Sequence, residues 1–118
     1  MAGMSGSAPR ERQHLSGATV SLISIAYSEL RRDIHMLLDS RWNESIRRRA
    51  GELSSALVMV CLRQRLDGLL PLFRSVSNLA RLSQSSARPL LPSLREKFES
   101  LMTDIEAALP RRPDRAGG

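Results

Sequence analysis

LPSLREKFESLMTDIEAAL, residues Leu91 to Leu109, carries the clearest amphipathic period in the chain. Its apolar side chains Leu94, Phe98, Leu101, Met102, Ile105 and Leu109 recur at intervals of one to four residues, mostly three and four. Arg95, Glu96, Lys97, Glu99, Asp104 and Glu106 fall between them. That period matches the turn of an α-helix and excludes a strand, in which sides alternate every second residue. Pro92 suits the first helical turn, where no amide hydrogen is needed, and Pro110 ends the helix.

The same period extends back along the chain. Val20, Ile23, Tyr27, Leu30, Ile34, Leu37 and Leu38 predict a first helix, capped by Ser16 or Thr19. Ser40-Arg-Trp42-Asn43 breaks the pattern, and Asn43 followed by Glu44 predicts the start of a second helix. Its main stripe is Ile46, Ala50, Leu53, Leu57, Val60 and Cys61. Asp67-Gly68 marks the next break, and Pro71 belongs in the first turn of a third helix from about Leu70 that carries Phe73, Val76, Leu79 and Ala80. Ser83-Gln-Ser-Ser-Ala-Arg-Pro89 reads as a loop. Four helices joined by short turns predict an all-α antiparallel bundle over residues 16–109. Residues 1–15 and 110–118, rich in Gly, Pro, Ser and charge, are expected to be disordered tails.

A chain of 118 residues is one small domain. Cys61 is the only cysteine, so no internal disulfide can form, and with His14 and His35 alone beside it no zinc cluster and no cofactor is expected. Ala56 to Leu62, the longest apolar run, falls far short of the roughly 20 residues that span a bilayer. Met1 to His14 has no apolar block of the kind a secretory signal needs, which points to the cytoplasm.

The formal charge is +6, and 17 of the 18 basic residues are Arg. Ser16 to Leu109 holds 13 basic and 10 acidic residues, a net +3, so the expected bundle is only mildly basic. Tyr27, Trp42, Phe73 and Phe98 are dispersed and offer no interleaved stacking platform, which argues against nucleic acid. The run Arg47-Arg48-Arg49 lies at a helix start, where the dipole disfavours cations. Glu44 and Glu52, each four residues from Arg48, can offset it as a solvated face; the functional alternative is a basic patch for an anion or acidic partner.

Catalysis needs convergent polar groups, and none is expected. Asp33 and His35 stand two apart on a helix, point in different directions and are expected at the surface. No serine lies in a nucleophile-elbow pattern, and Gly51 and Gly68 are isolated rather than part of a phosphate-cradling loop. Cys61 lies in the apolar run, where a thiol behaves as a small hydrophobe. The chain is therefore read as a non-enzyme. What remains is a surplus of apolar residues beyond one stripe per helix: Leu22 and Ile25 on the first helix, and Val58, Met59 and Leu62 on the second. A helical segment of a client protein, or a second copy of the chain, could use that surplus as a groove.

Ala18-Thr19-Val-Ser-Leu22-Ile23-Ser-Ile-Ala-Tyr27, together with Asn43 to Leu66-Asp67 and its small and apolar residues Leu53, Ala56, Leu57 and Val60, resembles the flagellin-specific export chaperone family of bacteria. The resemblance covers residues 16–67 and implies a small cytoplasmic antiparallel bundle that holds a helical part of flagellin unpolymerised until export. The chain departs from the family pattern in two places: Met1 to Leu15 lacks the N-terminal aromatic segment, and Leu72-Phe73 and Leu109 do not match the family's third-helix Leu-Tyr and terminal Trp. A self-associating adaptor or assembly subunit, and a basic nucleic-acid-binding bundle, are the alternative functional classes.

Overall fold

The computed structural model describes residues 16–110. Four long helices carry the fold: α1 (Gly17–Asp39), α2 (Glu44–Gln64), α3 (Leu70–Ala80) and α5 (Leu91–Ala108), with a short α4 (Gln84–Ala87) and a 3-10 turn (Arg88–Leu90) between the last two. No strand occurs among the described residues. The expected tails lie outside the described residues, apart from Pro110, which follows α5.

Side-chain pairs fix the order and direction of the helices. Asp33, late in α1, meets Arg49, early in α2. Arg47, at the start of α2, donates to the Ala80 carbonyl at the end of α3. Tyr27, midway along α1, donates to Glu106 near the end of α5, and Asp39 at the end of α1 pairs with Arg95 at the start of α5. Each neighbouring pair therefore runs antiparallel, and the bundle closes α1–α2–α3–α5 around one core. Leu30, Leu37, Phe73, Val76, Phe98 and Ile105 are fully enclosed there. The contact between α2 and α3 is the most extensive. Small buried residues, Ala50 and Ser54 on α2 and Ser77 and Ala80 on α3, let the two backbones approach, and Ser77 Oγ meets Ser55 Oγ at 3.2 Å.

The helix starts follow the sequence closely. Ser16 Oγ accepts from the Thr19 amide, Asn43 Oδ1 accepts from the Ser45 and Ile46 amides, and Pro71 and Pro92 occupy first turns. The helix ends depart from it. Arg41 (φ 59°) and Arg65 (φ 58°) both take the left-handed conformation in which glycine is usual. After each, the next residue reaches back five positions: the Trp42 amide to the Leu37 carbonyl and the Leu66 amide to the Cys61 carbonyl. Both helices thus end in a Schellman-type 6→1 bond, with an apolar residue, Trp42 or Leu66, directly after the left-handed arginine. Gly68 has no positive φ and does not close α2.

Trp42 lies within this turn and is completely buried. Its Nε1 donates to the Leu82 carbonyl at 2.8 Å, its ring centroid is 6.2 Å from that of Phe98, and its own carbonyl accepts from Gln84. Trp42 itself has φ 69°, so the indole is held in place against a backbone conformation unfavourable to a bulky residue. The predicted loop from Ser83 to Pro89 is instead largely helical: Ser83 Oγ caps α4 by accepting from the Ser86 amide, and Ala87 is buried.

Candidate functional site

The surplus apolar residues separate according to the side of the helix they occupy. Leu22 is 58%, Ile25 59%, Met59 51% and Leu62 48% exposed. Val58 differs: it is half-buried and packs against the core. On α1 the row Leu22, Ile25, Glu29, Arg32 and Met36 has the i, i+3, i+7 spacing of one helix side. Its last three members line a groove of about 620 Å³ between α1 and α2, completed by Asp33, Arg49, Glu52, Leu53 and Ala56. On α2 the row Arg47, Gly51, Ser55, Val58 and Leu62 borders α3, because Arg47 and Ser55 both bond to it. Met59 stands on the outward ridge with Arg48 and Glu52.

With Asp33 across from Arg49, the antiparallel register sets Leu22 level with about Val60 and Ile25 level with about Leu57. Leu22, Ile25, Met59 and Leu62 therefore share the end of the bundle remote from the α1–α2 turn. The structure places them on a common end but not in a common hollow. The α1–α2 groove holds none of the four, and Met59 lines a neighbouring hollow of about 500 Å³ with Arg47, Arg48, Ser55 and Arg81.

The Arg47-Arg48-Arg49 run fans out in three directions. Arg47 is bidentate on Glu44 and also donates to the Ala80 carbonyl, tying α2 to α3. The Arg47 hydrogen bond, chiefly, holds the Glu44 carboxyl below its ordinary pKa. Arg49 donates to both oxygens of Asp33 at 2.8 and 3.1 Å, and that pair raises the Arg49 pKa. Arg48 joins no other helix: it is 69% exposed, lies 3.8 Å from Glu44 and forms no bridge to Glu52. Two of the three arginines thus join helices.

Asp33 is buried, contrary to its expected surface position, and pairs with Arg49, whereas His35 is exposed and apart from it, as expected. Sequence reading missed this pair, although Asp33 follows Leu30 by three residues and so falls on the core-facing stripe. Cys61 is buried, and desolvation pushes its thiol up to about 11. Burial first, and then the bond to Glu106, raises the pKa of the Tyr27 phenol. Among the described residues no group of three His, Cys, Asp or Glu is placed to hold a metal, and no helix is long and apolar enough to cross a membrane. No protein-family pattern, curated protein or solved structure matches the chain.

Proposed function

We propose that the protein is a non-catalytic, protein-binding bundle that receives a helical segment of a client across Leu22, Ile25, Met59 and Leu62. One observation carries the reading: four large apolar side chains, paired i, i+3 on two adjacent helices at one end, stand about half exposed or more beside a core that is already closed. Single exposed apolar residues are ordinary, whereas a paired set on neighbouring helices offers the spaced anchors that an amphipathic helix uses. Met59 adds a flexible, polarizable contact that can adapt to its partner. The resemblance of residues 16–67 to flagellin-specific export chaperones supplies the particular form of the proposal, a chaperone that keeps an export-bound helical segment unassembled. Work in the cytoplasm fits the single unpaired thiol of Cys61.

The test is site-specific photo-cross-linking in the cell of origin, with the photoreactive residue at position 25, 59 or, as a control on α5, 99. The reading predicts that positions 25 and 59 both capture the same segment of one client while position 99 does not. Capture of a second copy of the chain from positions 25 and 59 would replace the client by self-association. Equal capture from all three positions would remove the strip as a site.

A further inference from the structure

We infer that the client segment is acidic at the end that lies over Arg48 and Arg81. The inference rests on the client-binding reading above and adds the chemistry of the partner. The hollow beside Met59 contains Arg47, Arg48 and Arg81 against Glu52, and a second hollow of about 540 Å³ shares Arg47 and Arg81 with it while adding Arg88 and Glu44. Across the two, four arginines face two carboxylates. Glu44 is already engaged by Arg47, and neither Arg81 nor Arg88 has a carboxylate partner among the described residues. The basic surplus is therefore available to a ligand.

Arg48 lies eleven residues before Met59, about 16 Å along α2 at the helical rise per residue, and Arg63 stands one turn beyond Met59, so the concentration of arginines that sets the acidic end is the one formed by Arg48 and Arg81 with Arg47 and Arg88. A helical segment seated on Ile25 and Met59 and continuing along α2 reaches Arg48 and Arg81 after about three turns. Carboxylates there would find guanidinium forks that can bind them in bidentate fashion. A polynucleotide fits less well. Tyr27, Trp42, Phe73 and Phe98 are all buried, so no ring is offered for base stacking, and Glu44 and Glu52 interrupt the positive field.

The experiment measures binding of the full chain to three fluorescent probes: an 18-residue amphipathic helical peptide with a leucine stripe and a glutamate-rich end, its lysine-for-glutamate counterpart, and a single-stranded oligonucleotide. The acidic peptide is expected to bind, to weaken about tenfold in Arg48→Glu/Arg81→Glu and by less in Arg48→Gln/Arg81→Gln, and to weaken as salt rises, with the lysine peptide bound more weakly throughout. Circular dichroism melts check that both double variants stay folded. Equal binding of both peptides, lost in Ile25→Gln, overturns the acidic preference and leaves the apolar strip standing. Binding of the acidic peptide that survives Ile25→Gln and Met59→Gln overturns the strip. Oligonucleotide binding tighter than either peptide, lost in Arg48→Glu/Arg81→Glu, overturns the inference in favour of a nucleic-acid surface.

Discussion

Replacing Trp42 by alanine should remove a large share of the stability of this bundle. The indole is fully enclosed. An aromatic of this size buries about 200 Å², which at about 25 cal/mol/Å² gives roughly 5 kcal/mol, reduced to about 3–4 by residual compaction of the unfolded chain. Loss of the Nε1 bond to the Leu82 carbonyl adds about 1 kcal/mol. The expected cost is about 4–5 kcal/mol, at the upper end of the usual range of about 3–5 for such truncations. It would lower the melting temperature by roughly 16–40 °C in a domain of this size. Trp42→Phe separates the terms: it keeps a ring beside Phe98 but drops the N–H, and should cost about 1–2 kcal/mol. Urea unfolding followed by far-ultraviolet circular dichroism measures both. A cost below about 1 kcal/mol for Trp42→Ala would refute the argument, because the two left-handed residues of the turn would then be held by something other than the indole.

Leu57→Ala, at a core position of α2 that is 2% exposed, should cost about 2–5 kcal/mol in the same assay. Arg49→Leu leaves the Asp33 carboxylate buried without its bidentate partner and should lower the urea midpoint; Asp33→Asn combined with Arg49→Leu should recover part of that loss. The Cys61 thiol, pushed up to about 11 by burial, should resist alkylation in the native protein at neutral pH and react once the chain unfolds in urea. Because its folded pKa is raised, its share of the stability is present below the ordinary thiol range and is lost as pH rises towards 11.

The four long helices were legible because each buries a stripe at helical spacing, and their starts were legible because Ser16, Asn43, Pro71 and Pro92 state a local preference that the fold keeps. The ends were not, because arginines rather than glycines occupy the left-handed positions 41 and 65. Trp42 escaped notice for a related reason. Between Arg41 and Asn43 it belongs to no stripe, and its burial depends on Leu82 and Phe98, distant in sequence. In the serine-rich stretch, Ser83 supplied a cap and Ala87 a single core contact, too little for any period to register. At the candidate site, the surplus of Leu22, Ile25, Met59 and Leu62 was legible as a count of apolar residues beyond one stripe. Which of them face solvent depended on how α2 is wedged between α1 and α3, and that packing turned Val58 inward.

The proposed function requires Ile25 and Met59 to stand at the surface rather than in the core, and the thermal melt of Ile25→Gln/Met59→Gln distinguishes the two. Exposed positions contribute little to folding, so the account predicts unchanged helicity and a melting temperature within about 5 °C of the parent chain. If the two residues were core, glutamine there would bury unsatisfied amides, and a fall of more than about 10 °C would contradict the account.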